Sequence, residues 1–427
     1  MSPAIYFRHL PTYLQNNEVY THAKHRNYRA AFRHNRVGRQ RFYRPHRGGL
    51  HAPEYGSGNL SWAVAGRNPA KLESVVGQRD IPVLTADSHD SDSLEKLVQQ
   101  ARVILTTVGP YARYGSELVA ACAQHGTHYC DLTGESLWMR EMITAHQQTA
   151  QDSGARIVHT CGFDSIPSDI GVYFLQKEMQ ARHGVPARHI KYRTKAFKGG
   201  FSGGTIDSMM AMMEAGQKDP TLLKQLANPY LLNDTLRGAD GPDRFSPYFD
   251  EDFDAWVGPF MMAAINTRVV RRTNELLNSA YGEDFRYDEG SLTGSGAKGF
   301  LGATGIGVGS GLFAGLASLP LTRRGLQKVL PKPGEGPTPE QQENGFFEVE
   351  LRAKHPLDES KNLIASVKGD RDPGYGSTAK MIAESALALA HDDLPVAGGF
   401  WTPASAMGDA LLNRLPANAG VTFEIVE

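Results

Sequence analysis

Between residues 60 and 161 the chain alternates short apolar runs with amphipathic stretches, and this rhythm limits the fold more than any other feature. Residues 60–65 (LSWAVA) read as a strand that stops at Gly66-Arg67-Asn68-Pro69. Pro69 suits the first turn of a helix carrying Leu72, Val75 and Val76. Residues 81–86 form the next strand, ending at Asp87, and Asp90 and Ser91 offer caps for a helix around Leu94 and Leu97. The run 102–108 (RVILTTV) is apolar without alternation until Gly109-Pro110, as expected of a strand buried on both faces. A helix through 118–123, a strand at 128–132, a helix through 139–150 and a strand at 156–161 continue the pattern. Strand and helix in strict turn predict an α/β fold built on a doubly wound parallel sheet.

A length of 427 residues requires two or three domains. With 41% hydrophobic and 21% charged residues, the composition excludes disorder for the bulk of the chain and excludes a polytopic membrane protein. Three cysteines (Cys122, Cys130, Cys161) make no disulfide framework, which points to a reducing, cytoplasmic setting. The first 30 residues hold no apolar core of a secretory signal. His159 beside Cys161 resembles no metal pair and reads as strand packing, so no metal is expected.

In a doubly wound sheet, ligands bind beyond the carboxyl ends of the strands. The residues there are Gly66-Arg67-Asn68, Asp87, Val108-Gly109-Pro110-Tyr111, Thr133-Gly134-Glu135 and Gly162-Phe163-Asp164-Ser165. An NAD site places an acid at the end of the second strand to hold the ribose 2′-hydroxyl; Arg67 instead matches a 2′-phosphate by charge and fork geometry. By itself Arg67 is equally well read as a solvated side chain after a strand. With Asp87 placed to bond an adenine amine, NADP(H) is preferred over NAD(H).

A glycine-rich phosphate loop should precede Trp62 by about 20–30 residues. Residues 33–47 cannot form it: they lack apolar periodicity, contain one glycine, and place Pro45 inside the required helix. Residues 1–50 carry ten Lys or Arg against one acid, while the remaining 377 residues hold 35 basic against 45 acidic side chains. At face value this is a basic arm for nucleic acid or an anionic membrane. Read one base later with CGN arginine codons, however, residues 32–47 permit an apolar strand followed by a GxxGxxG turn. The atypical basic segment 1–50 is therefore read as frameshifted or misassigned, or else disordered, with no nucleic-acid partner expected.

The shifted loop, WAVAGRN at 62–68, TTVGPYARYG at 106–115, CDLTGE at 130–135 and GFDSIPSD at 162–169 resemble the saccharopine dehydrogenase-like oxidoreductases, in the branch called trans-acting enoyl reductases. LPKPGEGPT at 330–338 and GGFWTPASAMGDALLNRL at 398–415 resemble that branch too. The resemblance covers roughly residues 55–427. It implies a Rossmann-type NAD(P)-binding domain over 51–190, completed by about 375–427, and a second α+β domain with a mixed sheet over 191–374. It implies reduction of a double bond on a lipid-like or acyl substrate. By position it assigns Arg67 to the 2′-phosphate, Asp87 to the adenine side and Gly109-Pro110 to the nicotinamide edge, with Gly66, Asn68 and Val108 also among the cofactor-binding residues. A tight turn without side-chain bulk lets the ring approach the backbone. Hydride transfer needs orientation plus a proton donor or polarising group, and Tyr111, Tyr114, Glu135 and Asp164 are the candidates. Asp164 is equally well read as a helix cap beside Ser165.

In the second domain, 190–196 and 346–353 read as strands. Met209, Met210, Met212 and Met213 fit either an adaptable lipid pocket or, as favoured here, ordinary core. Residues 299–321 run 23 positions without a charge and end before Arg323-Arg324, but seven glycines make them only weakly hydrophobic. A lipid-facing hairpin or peripheral membrane contact through 299–324 competes with a buried helix at an acyl pocket or a homodimer interface. The alternative to an enzyme is a non-catalytic lipid- or membrane-surface protein that keeps the fold without a working phosphate loop.

Overall fold

The computed structural model describes residues 19–23, 61–77, 81–200, 203–330 and 336–426. In chain order the strands are β1 (Val19–Ala23), β2 (Trp62–Gly66), β3 (Val83–Thr85), β4 (Ala101–Thr106), β5 (His128–Asp131), β6 (Arg156–Val158) and β7 (His189–Lys198). They continue with β8 (Tyr248–Asp250), β9 (Ala255–Gly258), β10 (Arg286–Gly294), β11 (Phe346–Lys354), β12 (Leu363–Gly369), β13 (Gly399–Trp401) and β14 (Val421–Val426).

The first sheet has the order β13-β6-β5-β4-β1-β2-β3. The pairs β2–β3, β4–β5, β5–β6 and β6–β13 are parallel, as the strand–helix alternation requires. Successive side chains go to opposite faces. Ile104, Tyr129 and Ile157 meet the helices Ser91–Gln100, Ser116–His125 and Ser136–Ser153 on one side, while Val103, Leu105, Cys130 and Val158 join the core on the other. Both faces are therefore buried, which is why these strands read as apolar runs without alternation. The expected caps form: Asn68 accepts from Lys71 N–H at 3.1 Å, with Pro69 at the helix start, and Asp90 accepts from Ser93 N–H at 3.3 Å.

The central slot departs from the pattern. β1 lies there antiparallel to both β2 and β4, pairing Val19 with Ala65 and with Thr106. A doubly wound sheet places a parallel strand in this position, leading into the phosphate loop and first helix. The frameshift reading of 32–47 lies outside the described residues.

The second sheet, β14-β12-β11-β7-β10-β9-β8, is mixed; β7 and β10 run parallel and the other neighbours antiparallel. The helix Ile166–His183 links the two sheets, and Gly171 lets it approach Leu351 and Val367 so closely that an added Cβ would sit 3.3 Å from each. One continuous core runs from Val64 and Val158 of the first sheet to Tyr192, Leu351 and Val367 of the second. The last fifty residues are divided between the sheets: β13 edges the first, whereas β14 pairs with β12 in the second. Residues 299–321 are helical rather than a hairpin, lying in a helix over Gly296–Ser318 that runs into a second over Pro320–Val329.

Candidate active site

The carboxyl ends of β4, β5 and β6 lie side by side, and each leads into a loop of small and polar residues. After β4 the chain passes through Thr107 and Val108 to a cis Gly109–Pro110 peptide, then a short helical turn, Tyr111–Tyr114. The loop after β5 is organised by Asp131, a fully buried carboxylate. It accepts from Tyr129 Oη at 3.0 Å, from the Thr133 and Thr160 N–H groups at 3.0 Å each, and pairs with His159 Nδ1 at 2.7 Å. The His159 ring sits among Trp138, Phe400 and Tyr129, so it braces two strand ends as packing. Thr160 adopts φ 62°, a left-handed turn that redirects the chain toward Gly162.

A cavity of about 570 Å³ opens over these ends, within the usual size of a small-molecule site. Its sheet-side wall is made of Gly109, Gly134 and Gly162, which carry no side chain, together with Leu132. Met209, Met212 and Met213 of the helix Gly203–Lys218 line the facing wall. The methionine stripe thus divides its roles: Met210 is core, and its three neighbours are half-buried at the cavity. Helical spacing alone could not separate these, because the partner surface comes from the other sheet. Leu226, Phe245 and Phe260 extend the apolar lining.

Asp164 is half-buried in that wall, and its carboxyl accepts no hydrogen bond from any described residue. Burial pushes it up to about 7. The capping alternative does not hold: the following helix starts at Ile166 with Ser165 at its cap position and no side-chain cap bond. Asp243, the other carboxylate on the lining, is paired with Arg268 at 2.5 Å.

The other candidates are engaged elsewhere. Tyr111 lines the cavity, but its hydroxyl donates to the Thr106 carbonyl and accepts from Leu132 N–H, and burial pushes it well above the ordinary tyrosine range. Glu135 accepts from the N–H groups of Tyr111 at 2.8 Å and Ala112 at 2.9 Å, and from Ser208 Oγ at 2.7 Å. It therefore ties the first sheet to the methionine helix. Tyr114 packs against His89, outside the cavity lining. Gly66, Arg67 and Asn68 stand at the end of β2, with Arg67 exposed and Asn68 occupied as a cap. Asp87 follows β3 and organises its own turn by accepting from His89 N–H at 3.1 Å. Val108 N–H donates to Thr106 Oγ1 at 3.2 Å. Ser208, Tyr375 and Thr378 also reach the cavity, and no sequence signal singled them out, since they come from elements distant in the chain.

Residues 53–158 match the saccharopine dehydrogenase NADP binding domain. A Mycobacterium tuberculosis protein designated a candidate trans-acting enoyl reductase is 42% identical over 390 residues, covering 86% of this chain and 91% of the relative. The chain belongs to the trans-acting enoyl reductase family. The trans-acting enoyl reductase of Mycobacterium ulcerans is 38% identical over 384 residues, covering 84% of this chain and 90% of that protein. Apo histidine-tagged saccharopine dehydrogenase (L-Glu forming) from Saccharomyces cerevisiae aligns over 85% of this chain and 93% of its own at 14% identity and a TM-score of 0.47.

As a trans-acting enoyl reductase family member, the chain is an oxidoreductase whose domain of the first sheet is of the nicotinamide cofactor type. The strand-end residues fit such a cofactor. Arg67 is exposed at the end of β2, and Gly109 lies on the cavity lining after β4. The pyrophosphate cradle is not among the described residues. Nor do the described residues contain a group of three or more His, Cys, Asp or Glu side chains arranged to hold a metal, and all three cysteines are free and buried.

Proposed function

We propose that the protein is an NADPH-dependent reductase of a carbon–carbon double bond conjugated to the carbonyl of a lipid-like acyl substrate. The observation that carries this reading is Asp164: a carboxyl that accepts no hydrogen bond from any described residue, is pushed by burial up to about 7, and faces a mainly apolar cavity over the carboxyl ends of the strands. Arg67 and Asn68 would hold the adenosine side, Asp87 the adenine, and Val108, Gly109 and Pro110 the nicotinamide edge. The cofactor supplies a hydride when bound.

The chain's own part is to orient the acyl group, exclude water and deliver one proton. The methionines, Leu226 and Phe260 make an adaptable wall for an alkyl chain. Asp164 would donate its proton to the carbon next to the carbonyl, the far alkene carbon being the one the cofactor would reduce. Saturation thus consumes one hydride and one proton, and leaves a carboxylate that regains its proton from solvent. The reduced cysteines support a cytoplasmic setting for this chemistry.

The deciding experiment is loss of reduced-nicotinamide absorbance with a 2-enoyl thioester, with the saturated product identified by mass spectrometry. A second reading, a lipid-surface protein without turnover, is favoured by one observation, the antiparallel β1 in the slot that normally feeds the phosphate loop. Absence of NADPH binding by calorimetry would select it.

A further inference from the structure

The helix Gly296–Ser318 is long and apolar enough to cross a bilayer, yet only 11% of its most apolar window is buried. It meets the body along one narrow stripe. Gly299, Ala303 and Ala317 are buried, Gly299 close to the Gly294 carbonyl and Trp256, and Gly302 against Thr293. Phe300 packs on Trp256, and much of the remaining surface meets nothing among the described residues. Leu301, Val308 and Leu312 are each more than 60% exposed, and a Cβ on Gly305, Gly309, Gly311 or Gly315 would meet no described residue within 4 Å. Leu319, Leu321 and Val329 extend this apolar surface along the next helix.

Two further observations say what covers it. The first is charge. Residues 296–330 contain Lys298, Arg323, Arg324 and Lys328 and not one acid, although the chain beyond residue 50 is net acidic. Lys298 and Lys328 are exposed at opposite ends of the two helices. A second copy of the same face would set like charges against each other, whereas anionic headgroups complement them. The second is continuity with the cavity. The helix passes Phe245 and Pro247 at Gly307, and Arg323 bonds Glu214 and Gln217 of the methionine helix. Leu223, Phe245 and Met261 belong both to the cavity lining and to the exposed apolar surface.

We infer that the Gly296–Ser318 and Pro320–Val329 helices dock this protein on an anionic lipid bilayer, seating the apolar helix among the headgroups and turning the cavity rim toward the acyl chains. The apolar flank enters the interface, and Lys298 and Lys328 meet the headgroup phosphates. The orientation of the cavity rests on the acyl-substrate reading above; docking itself does not.

Flotation of the full chain with vesicles of phosphatidylcholine, and of phosphatidylcholine mixed with phosphatidylglycerol, tests it. Binding is expected on the anionic vesicles, weakening with salt, and falling about tenfold or more in Leu312→Asp and in Lys298→Glu combined with Lys328→Glu. Both variants change exposed residues outside the cavity, so reduction of a short, water-soluble enoyl thioester is expected to stay at the parent rate. That second readout separates a failure of docking from a failure of the proposed chemistry. Absence of vesicle binding by the parent chain overturns the inference. Equal binding to neutral and anionic vesicles, or unchanged binding by both variants, also overturns it. So does a dimer in sedimentation that Leu312→Asp dissolves, which would assign the face to a second copy.

Discussion

Asp164 and Asp131 stand on neighbouring loops and show how surroundings decide what a carboxyl does. Asp131 is saturated by two backbone N–H groups, a tyrosine and a histidine, and holds strand ends in place. Asp164 has no such donors among the described residues, and burial pushes its carboxyl up to about 7. A proton donor must be protonated to act, so kcat/KM for enoyl reduction is expected to be flat below about 7 and to fall as pH rises beyond it. Asp164→Asn should lower the rate by roughly 10²–10⁴-fold and remove that descending limb, read in a pH–rate series. At the other end of the sheet, Arg67→Glu should weaken NADPH binding by about tenfold or more while leaving NADH little changed, measured by calorimetry with both cofactors.

At the scale of elements, the cavity wall depends on one unusual helix. Ala263–Leu276 buries three arginines, Arg268, Arg271 and Arg272, each directed at the irregular segment 226–243. Arg271 pairs with Asp240 at 2.7 Å and donates to the carbonyls of Pro229 and Tyr287; Arg268 holds Asp243 and the Leu226 carbonyl. Glu275 accepts from three successive N–H groups, those of Asp234, Thr235 and Leu236. A segment without a backbone ladder satisfies its polar groups on these side chains instead. Arg271→Met strands the partly buried Asp240, so a loss of about 3–5 kcal/mol is expected in denaturant unfolding. An unchanged midpoint would show that the segment is held by other contacts.

Across the whole molecule, buried carboxyls stand where the two sheets are joined. Asp169 accepts from Thr273 Oγ1 at 2.5 Å and from Ala404 N–H at 2.8 Å, connecting three helices, and Glu289 accepts from Tyr287 and Asn266. Burial pushes both, and Glu384, up to about 7. Between about 4 and 7 the folded chain holds protons at these groups that the unfolded chain has released. Stability therefore falls as pH rises through that window. Asp288 behaves oppositely: burial alone would raise it, but Arg193 and His189 hold it below the usual carboxylate range. Its contribution is present above the ordinary value and is lost as pH falls below it. The free energy of unfolding in urea is expected to decline between about pH 4 and 7, and in Asp169→Asn the decline should be smaller by an amount on the order of a few kcal/mol.

The strands and helices between residues 60 and 161, the caps at Asn68 and Asp90 and the row of strand-end loops were legible in the sequence. They are local: periods of two and 3.6 residues, a proline at a first turn and a short polar side chain at a cap act within a few positions. Those local signals determined the α/β class, and the strand-end motifs drew Tyr111, Glu135 and Asp164 together. Only the tertiary structure separated their parts, because Glu135 finds its third donor in Ser208, 73 residues away, while Asp164 finds none among the described residues. It also set β13 beside β6, placed β1 antiparallel in the central slot, sent β14 to the second sheet, and turned three methionines toward a cavity. Pairing and burial of this kind depend on which distant surface arrives opposite. No periodicity along the chain encodes that.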